Sequence, residues 1–180
     1  EELRNLMYTA QLPNQGPFSI RYPRGNGVMT EWKTPFKEVK VGQGRKVTSG
    51  EDIAILTIGH PGNFAQAAIQ QLKDSGVSIA HYDMRFAKPI DEEMLHEVFT
   101  NYNKIVTVED GTVVGGFGSA VLEFMNAHGY KADVKIVGIP DRLVEHGTPK
   151  QLYEEIGIDA NGIAETLREM SKISVAELVK

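Results

Sequence analysis

The chain has 180 residues, 41% of them hydrophobic and 24% charged, with a formal net charge of −5 and no cysteine. That size suits one α/β domain with an appendage, and the composition excludes a disordered chain. Disulfides and cysteine-ligated metals are excluded, the negative charge gives no attraction to nucleic acid or anionic membranes, and no apolar run approaches the roughly 18 residues of a membrane span. The absence of cysteine fits a reducing compartment, and a cytoplasmic location is expected. The opening Glu1-Glu2-Leu3-Arg4 has neither a Met nor the character of a signal peptide, and reads as part of a longer polypeptide.

Residues 1–25 read as a helix with Leu3, Leu6 and Met7 on its apolar face, then a strand over Phe18–Tyr22. Pro13-Asn14-Gln15-Gly16-Pro17 separates the two. A lone helix and strand cannot bury their own apolar faces, so this stretch is expected to be the tail of a preceding domain. Residues 26–50 read as a linker with a short strand around Phe36–Val41.

From residue 51 to about 171 strand and helix signals alternate. Ile53–Gly59 is a continuous apolar run, as in a strand covered on both faces. Pro61–Ser75 follows as a helix with Phe64, Ala68 and Leu72 at i+4 spacing and Gly76 as its stop. Val77–Tyr82 is the next strand, and Asp91 caps a helix whose first turn holds Glu92 and Glu93. Lys104–Val108 is a strand, Ser119–His128 a helix closed by Gly129, and Val134–Ile139 a strand. Thr148-Pro149-Lys150-Gln151 is a capping box leading to a helix ended by Gly157, and Asp159 caps a last helix with Ile163, Leu167 and Met170 inward. The final residues, 172–180, read as a tail. Single helices alternating with strands predict a three-layer α/β/α fold around a mostly parallel twisted sheet of about five strands.

In such sheets ligands gather at the carboxyl ends of the strands. Glu109-Asp110 could be an acid/base pair or a strand end running into a solvated loop. Gly115-Gly116-Phe117-Gly118-Ser119 could cradle an anion with free backbone N–H groups, or give a tight turn that lets the next helix pack close to the sheet. No Gly-Lys-Ser/Thr follows, so it is not a P-loop. None of the five histidines forms a helical metal-binding pair with another. His60 and His146 lie in loops at strand ends or helix starts, and His146 is a candidate for the periphery of an active site, against the commoner structural role. Arg21 and Arg24 flank Tyr22-Pro23 and suit either a phosphate clamp or a pair of interdomain ion pairs. No catalytic set, cofactor-binding residue or metal site can be assembled from these parts.

Phe18–Gly25, with its Arg-Tyr-Pro-Arg-Gly core, resembles the stretch that closes the pyrimidine-binding domain of 1-deoxy-D-xylulose-5-phosphate synthases. Asp83-Met84-Arg85-Phe86-Ala87-Lys88-Pro89-Ile90-Asp91, then Val106–Asp110 with Gly115–Ser119, then Gly138–Asp141 with His146-Gly147-Thr148, resemble that family's further signatures in the same order. The resemblance runs from residue 1 to about 171, and its glycine-rich and Asp-x-Arg elements also occur in looser form in transketolases and 2-oxo-acid dehydrogenase β subunits. It implies a tail of the pyrimidine-binding domain at 1–25, a linker at 26–50 and a transketolase C-terminal domain at 51–171. It further implies a homodimeric transferase that joins pyruvate to glyceraldehyde 3-phosphate with thiamine diphosphate and Mg²⁺, upstream domains that hold those cofactors, and an inactive, packing role for this part. Arg24 matches the family arginine that holds the substrate phosphate, and Arg21 matches its neighbour, a candidate for the site's periphery.

Two other readings compete. Another transketolase-like enzyme, such as a dehydrogenase β subunit, shares the core but not the Arg21–Gly25 pattern. A stand-alone regulatory ligand-binding domain is the second. Of that class, a phosphoacceptor receiver needs an acidic pair after its first strand, where this chain has Gly59-His60.

Overall fold

The structure is a computed structural model, and it describes residues 1–27 and 31–172. Its elements run α1 (Glu2–Thr9), β1 (Arg45–Thr48), β2 (Ile53–Ile58), α2 (Pro61–Gln71), β3 (Ile79–Asp83), α3 (Glu92–Asn101), β4 (Lys104–Thr112), α4 (Phe117–Ala127), β5 (Asp133–Ile139), α5 (Pro149–Ile156) and α6 (Ala160–Lys172). The strands form one sheet in the order β1-β3-β2-β4-β5, with β1 antiparallel at the edge and the other pairings parallel. The expected three-layer α/β/α architecture with five strands is therefore the observed one.

The layers follow from the two-residue period of the strands. Ile53 and Ile55 of β2 face one side, where Ala65 and Ala68 of α2 and Leu72 just after it meet Ile163 and Leu167 of α6. Ala54 and Leu56 face the other, against Leu95 and Val98 of α3 and Val121 and Phe124 of α4. The four β2 residues are fully buried, which is why this strand reads as an unbroken apolar run. Each large aliphatic side chain so buried contributes about 1.5–3 kcal/mol relative to exposure. β3 lies on one side of β2 and β4 on the other, so the chain reverses its winding between the carboxyl ends of β2 and β4.

Local signals set most boundaries. Asp91 accepts the Met94 N–H at 2.9 Å and caps α3. Thr148 and Gln151 form the capping box of α5, and Gly157 ends it in the left-handed conformation at φ 74°. α2 stops at Gln71, short of the expected Ser75, because Ser75 donates its hydroxyl to the Leu72 carbonyl at 2.6 Å and turns the chain.

The first 50 residues depart from expectation. No strand forms over Phe18–Tyr22, since no described segment lies beside it to take its backbone hydrogen bonds. The stretch read as a linker supplies β1, and Phe36–Val41 is not a strand. The inward face of α1 is the polar one: Asn5 and Thr9 are buried, while Leu3 and Met7 are exposed. The Asn5 side-chain oxygen accepts the Lys37 N–H at 3.1 Å, and the Thr9 hydroxyl accepts the Val39 N–H at 2.9 Å. Segment 32–39 thus uses two side chains of a helix where a strand would use a neighbour. Arg4 reinforces the contact, its guanidinium lying 4.0 Å from the Phe36 ring centre. The expected tail at 172–180 lies, apart from Lys172, outside the described residues.

Asp91 has a second task that the sequence does not advertise. Its other oxygen accepts the buried Gly44 N–H at 2.7 Å, tying the approach to β1 onto the start of α3. Asp91→Ala removes a helix cap and leaves a buried donor without a partner. We expect a loss of about 2–4 kcal/mol, measured as a lower denaturant midpoint with an unchanged slope.

Candidate functional site

The winding reversal places Gly59-His60, at the end of β2, beside Glu109-Asp110 near the end of β4. These two carboxylates lie inside β4 and not in a loop beyond it. Neighbours in a strand point to opposite faces, so they cannot act together as an acid/base pair.

Glu109 points towards α4 and is 4% exposed. Its two oxygens accept the Phe117 and Gly118 N–H groups, each at 2.8 Å, and so start α4 two residues earlier than Ser119. The glycines make room for it. A Cβ on Gly116 would lie 2.3 Å from a Glu109 oxygen and 2.1 Å from the Thr112 carbonyl, and one on Gly111 2.7 Å from the same carboxylate. A Cβ on Gly118 would lie 2.7 Å from both Thr107 and Ile136. Both readings of the glycine-rich turn are realised, because the anion it cradles is the chain's own.

Asp110 points the other way. Tyr153 of α5 donates its hydroxyl to Asp110 Oδ2 at 3.3 Å, and His60 Nε2 stands 3.7 Å from the same oxygen. Arg21 approaches from the N-terminal segment, with Nη2 at 3.8 Å from Oδ2 and Nη1 donating to the Asp110 backbone carbonyl. The His60 ring packs against Phe64 and Tyr153, with centroids 5.9 and 5.4 Å apart. Burial lowers the His60 pKa below its ordinary value; the Asp110 charge opposes that shift and Arg21 adds to it. Burial also raises the Tyr153 pKa, and Asp110 raises it further. Asp110 is thus held by one guanidinium and one phenol, with the His60 imidazole 3.7 Å away and outside hydrogen-bond range.

A second polar cluster docks α1. Arg85 Nε stands 2.7 Å from Glu2 Oε1, Arg45 bridges Glu2 at 3.5 Å and Asp83 at 2.9 Å, and Phe18 meets Phe86 edge-on at 6.3 Å. Asp83 also accepts the Arg85 N–H at 3.2 Å, holding Arg85 in its left-handed conformation at φ 56°. The Asp83–Asp91 signature therefore works as a structural staple, its aspartates and arginine joining β1, β3, α3 and α1.

Of the residues singled out from sequence, Arg21 is brought to Asp110, while Arg24 and His146 are exposed and make no hydrogen bond or ion pair among the described residues. The part played by Asp110 and Tyr153 carried no sequence signal, because 43 residues separate them. Nor do the described residues fit the thiamine cofactor. No three of their His, Asp or Glu side chains stand together as a metal site, and the glycine-rich helix start that would suit a diphosphate is closed by Glu109. No helix among them is long and apolar enough to cross a membrane.

The sequence profile of the transketolase C-terminal domain matches residues 42–163. The chain belongs to that family. Over 96% of its length it is 60% identical to 1-deoxy-D-xylulose-5-phosphate synthase of Cytophaga hutchinsonii and 55% identical to that of Bacteroides thetaiotaomicron. The corresponding enzyme of Aquifex aeolicus is 42% identical over 96% of the chain. The chain spans about 27% of the length of these relatives. A solved chain described as a split gene transketolase, inactive beta4 tetramer, superposes with a TM-score of 0.69 at 30% identity, covering 75% of this chain and 44% of that one.

One histidine outside the site makes a pH test of the core. His81 of β3 is buried, bonded through Nε2 to the Thr57 hydroxyl at 2.8 Å, with Nδ1 unpartnered. Burial, more than the opposing charge of Asp83, lowers its pKa from 6.5 to about 4. The unfolded chain takes up this proton below about pH 6.5 and the native one only near pH 4, so stability is lost as pH falls through that window. The full effect is roughly 3 kcal/mol. Denaturant titrations from pH 7 to pH 4 are expected to show His81→Gln gaining on the wild type by up to about that amount.

Proposed function

We propose that this chain is the C-terminal part of a 1-deoxy-D-xylulose-5-phosphate synthase. In this reading the whole enzyme joins pyruvate to glyceraldehyde 3-phosphate, releases carbon dioxide and yields 1-deoxy-D-xylulose 5-phosphate, a precursor for isoprenoid, thiamine and pyridoxal synthesis. The observation that carries the proposal is 60% identity to such a synthase across 96% of the chain, beside the Arg21–Gly25 pattern that resembles that family. A dehydrogenase β subunit is disfavoured by that same segment. The resemblance implies thiamine diphosphate and Mg²⁺ for the whole enzyme, to supply the carbanion chemistry at pyruvate, with upstream domains to hold them.

The chain's own contributions in this reading are positional. α1 and segment 18–25 close the preceding domain, and the Glu2 and Asp110 contacts lock them onto the α/β core. The core supports packing in a cytoplasmic homodimer and performs no chemical step. Arg24, exposed next to Gly25, offers a planar fork to the phosphate of the aldehyde substrate.

Two measurements test this. Titration calorimetry of the 180-residue chain with thiamine diphosphate and Mg²⁺ is expected to show no binding, and micromolar affinity would overturn the assignment of cofactor binding to other domains. In the full-length enzyme, Arg24→Ala is expected to raise KM for glyceraldehyde 3-phosphate about ten- to a hundredfold, as for a charge-assisted hydrogen bond, and to leave KM for pyruvate and for an unphosphorylated aldehyde unchanged. Equal rises for both aldehydes would make Arg24 structural.

A further inference from the structure

We infer that Asp110 anchors a clamp: it holds Arg21, and through Arg21 it fixes the place of Arg24, so that the C-terminal domain sets substrate affinity and does more than pack. The inference rests on the reading of Arg24 as the phosphate-binding residue.

The anchor is rigid. Asp110 follows Glu109, whose carboxylate is tied to the start of α4, and its own carboxylate is 18% exposed and braced by Tyr153. Among the described residues, the hydrogen bonds and ion pairs of the segment it holds are those of Arg21. Residues 21–27 are exposed, carry no regular structure and pair with no strand among the described residues. Arg21 reaches across 89 positions of sequence to meet both the backbone carbonyl and the side chain of Asp110. Between Arg21 and Arg24, Pro23 fixes its own φ and holds Tyr22 to extended conformations. Three residues then span about 10 Å, so pinning Arg21 confines Arg24 to a small volume. An unpinned segment must be ordered each time phosphate binds, which weakens binding without touching the chemistry. Arg21 is in this account a positioning residue, with both of its contacts spent on Asp110 and not on substrate.

Two readouts test the clamp, one of them independent of any activity. In the 180-residue chain, Arg21→Ala and the isosteric Asp110→Asn are expected to speed tryptic cleavage of the Arg24–Gly25 bond about two- to fivefold, with bonds outside residues 21–25 cut at unchanged rates and the melting temperature within about 2 °C. Asp110→Asn keeps the backbone carbonyl contact and is expected to have the smaller effect. In the full-length enzyme the same variants are expected to raise KM for glyceraldehyde 3-phosphate by a similar factor, leaving kcat and KM for pyruvate as they were. Arg21→Lys is expected to restore only part, and Asp110→Asn added to Arg24→Ala to cost nothing further. Unchanged cleavage, or an additive double variant, would overturn the clamp and leave Arg24 as the phosphate ligand. An Arg24→Ala effect that ignores the phosphate would remove that reading of Arg24, and with it the role of the clamp in affinity.

Discussion

Glu109 sits where three requirements meet. It ends the buried part of β4, it satisfies two N–H groups at the start of α4, and it fills the space left by Gly111 and Gly116. Each element needs the others. Without the carboxylate the helix would start with two buried donors unpaired, a cost of about 1–3 kcal/mol each. Without the glycines the carboxylate could not enter, since a Cβ at Gly116 would lie 2.1 Å from a backbone oxygen. The consequence reaches the next residue, because Asp110 is then presented from a fixed backbone to the opposite face of the sheet.

That geometry distinguishes this sheet from nucleotide- and cofactor-binding α/β folds that share its winding. In those, the crevice at the reversal point and the helix N-terminus beside it receive a ligand's phosphates. Here the helix start is occupied from within, and the crevice is bridged by Arg21, His60 and Tyr153 around Asp110. The carboxyl edge, the customary place for chemistry, has become a docking edge for the chain's N-terminal segment.

The docking itself is polar. Glu2 meets Arg45 and Arg85, Arg21 meets Asp110, and Asn5 and Thr9 take backbone donors from segment 37–39. Exposed pairs of this kind add little stability, typically under about 1 kcal/mol each, but they are directional. They set register between two units, whereas apolar contact alone would tolerate sliding. The left-handed backbone at Arg85 is one such commitment to geometry.

What the sequence determined by itself was everything governed by period and local chemistry. The unbroken run at Ile53–Ile58, the Asp91 cap, the Thr148 capping box and the Gly157 stop specify their elements through neighbours a few positions away, and together they imply the layered parallel sheet. The Arg21–Gly25 pattern and the glycine-rich turn pointed to a family, but not to what each residue touches. Tertiary structure alone decided which face of α1 turned inward, because Asn5 and Thr9 acquire value only when Lys37 and Val39 present unpaired donors. It alone decided that Phe18–Tyr22 finds no strand partner among the described residues, since a strand exists through its partner. It also separated Glu109 from Asp110, adjacent in sequence and alike in charge, by sending one to a helix start and the other to an arginine 89 residues away. Contacts between distant positions leave no periodic trace in a single chain, and the site is made of such contacts.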